Sequence, residues 1–224
     1  MIAPRVISLD LDDTLWPVAP VIAAAETALL AWLRAHHPRA AHGHDIASMQ
    51  HLRARVAERF PAQSHDLSFL RRQALAEQFS AAGYNEAAAA ETAFEIFLGE
   101  RNRVVFYDDA RPALERLRSK YRLFAVSNGN ADLERVGLGG LFEGHVTASA
   151  AGAAKPDARI FAHLTRLAGV APHEVLHIGD DPLADVIGAT RAGMQAVWIN
   201  REAREWPTQF APPARTVTTL TEIF

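Results

Sequence analysis

The chain has 224 residues, 49% of them hydrophobic and 22% charged, and a formal net charge of −3, so it carries no basic field suited to nucleic acid or an anionic surface. It has no cysteine, which excludes disulfide scaffolds, thiol catalysis and thiolate-bound metal. No apolar stretch approaches the ~20 residues of a membrane helix, and Met1-Ile2-Ala3-Pro4-Arg5-Val6 lacks the charged-then-apolar layout of a leader. A cytoplasmic protein with no membrane and no nucleic-acid partner is expected.

Val6-Ile7-Ser8-Leu9 is short, apolar and β-branched, bounded by Pro4 and by Asp10-Leu11-Asp12-Asp13. That predicts a buried strand ending in a polar loop. From Pro17 to about Arg103 the chain turns rich in Ala, Leu, Glu and Arg, with breaks at Pro38, Pro61 and Gly83. Period and length predict helices over 18–36, 45–59, 67–82 and 85–99, an all-α four-helix unit.

After Arg103, strands and helices alternate. Pro112 opens a helix, and a strand over 123–126 follows it. A short helix and turn over 132–140 leads to a short strand at 145–147. Next come a helix over 156–168, a strand over 175–178, a helix over 182–192 and a strand over 196–199. Such alternation implies a parallel sheet covered on both faces. The expected architecture is a Rossmann-like α/β core, residues 1–16 and 105–224, interrupted by the helical insert 17–104.

Four polar clusters end four of these strands: Asp10/Asp12, Ser127-Asn128, Lys155, and Asp180/Asp181. In open parallel sheets the ligand crevice lies at the carboxyl ends of the strands. Several carboxylates gathered there repel unless a cation joins them, and all-oxygen donors suit a hard ion such as Mg²⁺. Lysine adds a compact positive charge; of 23 basic residues only Lys120 and Lys155 are Lys. One hydroxyl completes a set able to neutralise a phosphoryl group, with a carboxylate as the natural nucleophile.

These residues resemble the four motifs of the haloacid dehalogenase-like hydrolases. Asp10-Leu11-Asp12-Asp13-Thr14-Leu15 resembles the first, Ser127-Asn128 the second and Lys155-Pro156 the third. Gly179-Asp180-Asp181-Pro182 with Asp185 resembles the fourth. The resemblance implies catalysis by Asp10 as nucleophile and by Asp12 as proton donor and acceptor. It implies phosphate binding by Ser127, Asn128 and Lys155. It also implies Mg²⁺ held by Asp10, the Asp12 carbonyl and Asp180, with either Asp181 or Asp185 in support.

An acid at position 12 separates the family's phosphatases from its dehalogenases, because a halide leaves without a proton. The insert matches the family's helical cap, and a small phosphate ester is the implied partner. Longer strings, including Gly137-Leu138-Gly139 and Ala192 to Ile199, are similar to a bacterial subgroup acting on flavin mononucleotide or the ribitylamino-uracil phosphate of riboflavin synthesis. A sugar phosphate or nucleotide phosphatase, or a silent binding protein on the same fold, are the alternatives. The oligomeric state stays open.

Six of the ten histidines lie between His36 and His65 in spacings that match no zinc pattern, so a solvated inter-helix region is expected. His177 reads as a core histidine. Trp16, two residues past the acidic loop, is a candidate to touch substrate. Arg71 or Arg72 would reach a distal substrate group if either faced the crevice.

Overall fold

A computed structural model describes residues 3–84 and 87–223. The chain separates into two compact units, Met1–Pro17 with Val105–Phe224, and Val18–Val104. Pro17 falls with the first unit, one residue beyond the expected break. In chain order, β1 (Val6–Leu9) precedes the helices α1 (Val18–His36), α2 (Pro38–Ala41), α3 (Ile46–Arg59), α4 (Leu67–Ala81) and α5 (Ala87–Arg101). The first unit resumes with α6 (Ala110–Arg118), β2 (Arg122–Ser127), β3 (Gly144–Thr147), α7 (Ala148–Ala151) and α8 (Ala158–Ala168). It ends with β4 (Val175–Gly179), α9 (Gly188–Arg191), β5 (Gln195–Ile199) and β6 (Thr216–Val217).

The six strands form one parallel sheet in the order β3-β2-β1-β4-β5-β6. β1 is fully buried, as an apolar run covered on both faces must be. Its register puts Leu9 opposite Ala125 on β2 and Ile178 on β4, so the three strands end within two residues of one another. The residues that follow are thereby delivered to one edge. Val6, Phe124, Val126, Val146, Ile160, Phe161 and Leu164 build a core beneath that edge. Each large apolar side chain so buried contributes about 1.5–3 kcal/mol before chain entropy is counted.

Some elements differ from expectation. Residues 132–140 give turns and one 3₁₀ turn, Gly139–Leu141, because Gly137 adopts a left-handed φ of 76° that ends helical growth. Pro182–Ile187 winds as a π-helical turn before α9. α7 and β6 lack the length to leave a periodic pattern in the sequence.

The second unit is helical. α3 opens on a capping box between Asp45 and Ser48, and α4 on Asp66, whose carboxylate accepts from Phe69 N–H at 2.9 Å. Residues 85 and 86 of the expected 85–99 helix lie outside the described residues; α5 begins at Ala87. Leu29, Leu33, Phe79, Phe94 and Phe97 are the heart of its core.

α1 corrects the expectation that no stretch approaches a membrane helix. Its 19 residues are long and apolar enough by length and composition. They are rich in alanine, and Ala25, Leu29 and Leu33 are buried within this unit beside the charged Glu26. Glu26, with no side-chain exposure, accepts from Arg71 at 2.9 Å and Arg53 at 3.0 Å. Arg71 is therefore neither solvated nor open to a ligand; its guanidinium also lies over the Phe97 ring, 3.3 Å from the centroid. Arg72 pairs with Glu91 at the surface. His37 is packed among Trp32, Phe79 and Tyr84, so the histidine-rich region is not uniformly solvated.

Candidate active site

Asp10 follows β1 directly, and its N–H donates to Ile178 O at 2.9 Å, so β4 holds the first residue of the acidic loop in line with the sheet. Lys155, 145 residues away, reaches back under it. Its Nζ donates to Asp10 Oδ1 at 2.5 Å, to Asp185 Oδ1 at 2.5 Å and to the Val126 carbonyl at 2.9 Å. An ammonium has three donors, and all three are engaged. The Lys155 side chain is 2% exposed, which no lysine tolerates without such partners.

Asp185 is the other anchor. Its Oδ1 also meets His177 Nε2 at 3.1 Å, and its Oδ2 accepts from the Asp181 N–H at 3.0 Å. His177 Nδ1 pairs in turn with Ser8 Oγ at 2.8 Å across the β1–β4 register. The core histidine is thus a buried bracket for Asp185. A side chain at Gly179 would run into the Asp185 carboxylate, so only glycine lets the π-helical turn bring that acid home.

Asp10, Asp180 and Asp185 each bring an oxygen within 4.8 Å of the others, the one such group of metal-ligating side chains among the described residues. The electrostatics are those of crowded acids. Burial pushes the Asp10 carboxyl well above the ordinary range, Lys155 draws it back, and Asp185 and Asp12 push it up again. Burial and Asp185 raise Asp180 to about 6 against the pull of Arg204. Burial works against charge on Asp185 too, but Lys155 and His177 hold it well below the usual carboxylate value. Burial disfavours the Lys155 cation, which Asp10 and Asp185 outweigh. An all-oxygen set this short of positive charge fits a hard divalent cation.

The other candidate residues divide. Ser127 is 1% exposed at the end of β2, and its Oγ accepts from Gly129 N–H at 2.9 Å, leaving the hydroxyl proton to donate elsewhere. Asn128 turns its side chain to the lysine loop. Its amide donates to Lys155 O at 3.0 Å and accepts from Lys155 N at 2.7 Å, so the side chain braces the lysine loop. Of the two candidate supporting acids, Asp181 caps the following turn through Leu183 N and Ala184 N, while Asp185 joins Asp10 and Asp180. Asp12 accepts from Trp16 Nε1 at 2.8 Å. Trp16 is fully buried, which corrects its reading as a substrate contact.

Sequence reasoning missed the segment after β5. Trp198 Nε1 donates to Asp180 O at 2.8 Å, and Arg204 Nη2 reaches Asp180 O at 2.7 Å and Oδ2 at 2.9 Å. Asn200 closes the intervening loop by exchanging two bonds with the Arg204 main chain, at 2.8 Å each. Arg201 bonds Thr14 O and Asp109. The available signal was two arginines, Arg201 and Arg204, within five residues of a buried strand end, which local pattern does not tell from surface charge.

An all-parallel sheet with this acidic edge defines a class, and comparison with known proteins agrees. The model of the haloacid dehalogenase-like hydrolases matches residues 4–193, and the chain belongs to that family. Its relatives include the 5-amino-6-(5-phospho-D-ribitylamino)uracil phosphatase YigB of Escherichia coli (strain K12), 33% identical over 92% of this chain and 89% of the relative. The phosphoserine phosphatase of Thermus thermophilus is 36% identical over 58% of this chain and 54% of its own. Among solved structures, a 2-haloacid dehalogenase from Pseudomonas syringae pv. Tomato DC3000 superposes with a TM-score of 0.92 at 34% identity, covering 98% of this chain and 96% of that one. Within the family, the chain is an enzyme of the phosphoric monoester hydrolase kind.

Proposed function

We propose that this phosphatase hydrolyses esters of small phosphorylated metabolites through an aspartyl-phosphate on Asp10, with Mg²⁺ as cofactor. The observation that carries the reading is the buried Asp10–Lys155–Asp185 chain, with a second acid two residues after Asp10. Lys155 occupies Oδ1 of Asp10, which directs attack on phosphorus through Oδ2. A bond forms from that oxygen to phosphorus as the ester P–O bond breaks, and Asp12 gives its proton to the departing alkoxide. Asp12 then takes a proton from water, whose oxygen attacks phosphorus, and the Asp10–phosphorus bond breaks to free phosphate. Ser127 Oγ–H and neighbouring main-chain N–H groups hold the phosphoryl oxygens, while Asn128 acts through the lysine loop.

Asp10, Asp180 and the Asp12 carbonyl would hold the divalent ion, which supplies positive charge against that of carboxylates and phosphoryl group. Asp185 takes the supporting position, since its oxygens are already shared by Lys155, His177 and the Asp181 N–H. The helical unit takes the role of the family's cap, the element that sets specificity.

Flavin mononucleotide and the ribitylamino-uracil phosphate of riboflavin synthesis are the favoured substrates, supported by the strings shared with that subgroup and by the E. coli relative. The dehalogenase name of the P. syringae neighbour offers a second reading. Asp12 weighs against it, because halide departure needs no proton. A panel of phosphate esters including flavin mononucleotide, ranked by kcat/KM beside a 2-haloacid, tests both readings. Turnover of esters only, suppressed reversibly by EDTA, is expected; release of halide alone would overturn the phosphatase reading.

A further inference from the structure

The indole of Trp16 has no part in the chemistry above, yet it is built onto it. We propose that Trp16 and Arg201 are positioning residues for Asp12: the indole selects which carboxyl oxygen carries the transferable proton, and Arg201 fixes the turn that joins them. The proposal rests on the reading of Asp12 as the proton donor.

The turn runs from Asp12 to Trp16. Asp13 N–H donates to Trp16 O at 2.7 Å and Leu15 N–H to Leu11 O at 2.8 Å, while Asp13 takes a left-handed φ of 56°. A non-glycine residue held there reflects a backbone fixed by its surroundings. The turn returns Trp16 beside Asp12, where Nε1 donates to Oδ1 at 2.8 Å. With no exposed surface and its ring edge-on to Phe106 at 5.5 Å, Trp16 has nowhere to swing.

An indole N–H only donates and does not titrate. It therefore holds Oδ1 as an acceptor through the whole cycle and removes the two-fold ambiguity of a carboxyl group, whose terminal torsion is otherwise broad. Proton transfer is assigned to Oδ2, the oxygen the indole does not hold.

Arg201 works one step further out. Its Nε and Nη2 donate to Thr14 O at 3.0 and 2.8 Å, in the middle of the turn. Nη1 and Nη2 grip Asp109 at 3.0 and 3.2 Å, and the guanidinium lies 4.0 Å from the centroid of Tyr107. Tyr107 N–H in turn donates to Leu15 O at 3.0 Å. The Arg201 side chain is only 10% exposed. The planar fork meets Thr14 O through two nitrogens and Asp109 through two, a fixed geometry that the single nitrogen of a lysine ammonium does not reproduce.

Proton donation matters in proportion to how poor the leaving group is, which gives the test. Trp16→Phe, Arg201→Lys and Asp12→Asn are compared on an alkyl phosphate and on p-nitrophenyl phosphate, with Mg²⁺ saturating. Asp12 also serves the hydrolysis of the aspartyl-phosphate, which is common to both esters, so the comparison is made in kcat/KM, which reads only the steps through phosphoryl transfer to Asp10. For Trp16→Phe, kcat/KM on the alkyl ester should fall about 10- to 100-fold, and on p-nitrophenyl phosphate less than about threefold. Arg201→Lys should show the same asymmetry, smaller by a few fold. Site-specific replacement of Trp16 by its benzothiophene isostere keeps ring and volume, deletes only the N–H donor, and covers a Trp16→Phe that does not fold. Equal losses on both esters, or an isostere with the parent's ratio, would overturn the proposal. Equal losses in Asp12→Asn would instead remove the proton-donor reading beneath it.

Discussion

Both units of this protein bury charge, and they treat it differently. In the helical unit Glu26 is enclosed with Arg71 and Arg53 against it, so the buried acid meets more than its own charge in cations. Burial still lowers Arg71 to about 10, offset by its bond to Glu26. In the α/β unit three acids crowd around the one buried lysine and the half-exposed Arg204, and Asp10 and Asp180 are pushed up rather than satisfied. A compensated buried cluster holds a fold together. A buried cluster left short of counter-charge is held in readiness for a ligand, because the missing charge must come from outside.

The sharpest way to break that contrast is to remove one acid from each unit. Asp10→Asn should lower turnover of p-nitrophenyl phosphate by at least about 10³-fold. Its melting temperature should be kept, since ionising Asp10 is disfavoured in the folded state; retained turnover would dismiss Asp10 as nucleophile. Glu26→Ala should do the reverse. Two arginines left without their acid cost about 3–5 kcal/mol, seen as a drop of about 10 °C in Tm. The kcat of the folded protein should stay within about twofold of the parent, and a large fall in kcat at unchanged Tm would erase the distinction.

A smaller effect follows from Asp180, raised from 3.8 to about 6. Between those values the unfolded chain has released a proton that the folded chain keeps. The stability of the metal-free protein should therefore fall as pH rises from about 4 to about 6, by on the order of 2 kcal/mol. Thermal melts in EDTA read this slope together with that of the raised Asp10, which has the same sign, and Asp180→Asn should reduce it. The stabilisation by added Mg²⁺ should grow over the same interval as the carboxylate ionises; a shift independent of pH would count against Asp180 as a ligand. Smallest of all, Glu91→Gln removes the exposed partner of Arg72 and should change stability by less than about 1 kcal/mol in urea unfolding.

The strands and the acids that end them were readable because a buried parallel strand has a plain signature, an apolar run stopped by a polar group. Val6–Leu9 followed by Asp10, and Val175–Gly179 followed by Asp180, both carry it. Lys155 stood out by residue type in a chain that otherwise uses arginine. Asp181 and Asp185 could not be told apart, since the choice hangs on a π-helical turn and on the space left by Gly179. Asn128 read as a phosphate ligand, and its side-chain pairing with the Lys155 main chain, 27 residues on, had no local signal. Arg71 read as a cation for a distal substrate group, if it faced the crevice, because nothing local announces a glutamate 45 residues away.

Local pattern alone determined the kinds of element, the site of the insert and the residue types that meet at the sheet edge, because burial period and strand ends are properties of neighbouring residues. Tertiary structure decided which acids face one another, which side chain braces Asp12, and that Arg201 would bond a carbonyl 187 residues earlier in the chain. Those pairings follow from a strand order that brings β1, β4 and β5 side by side. Proximity across a sheet is a consequence of topology, and no window along the chain contains both partners.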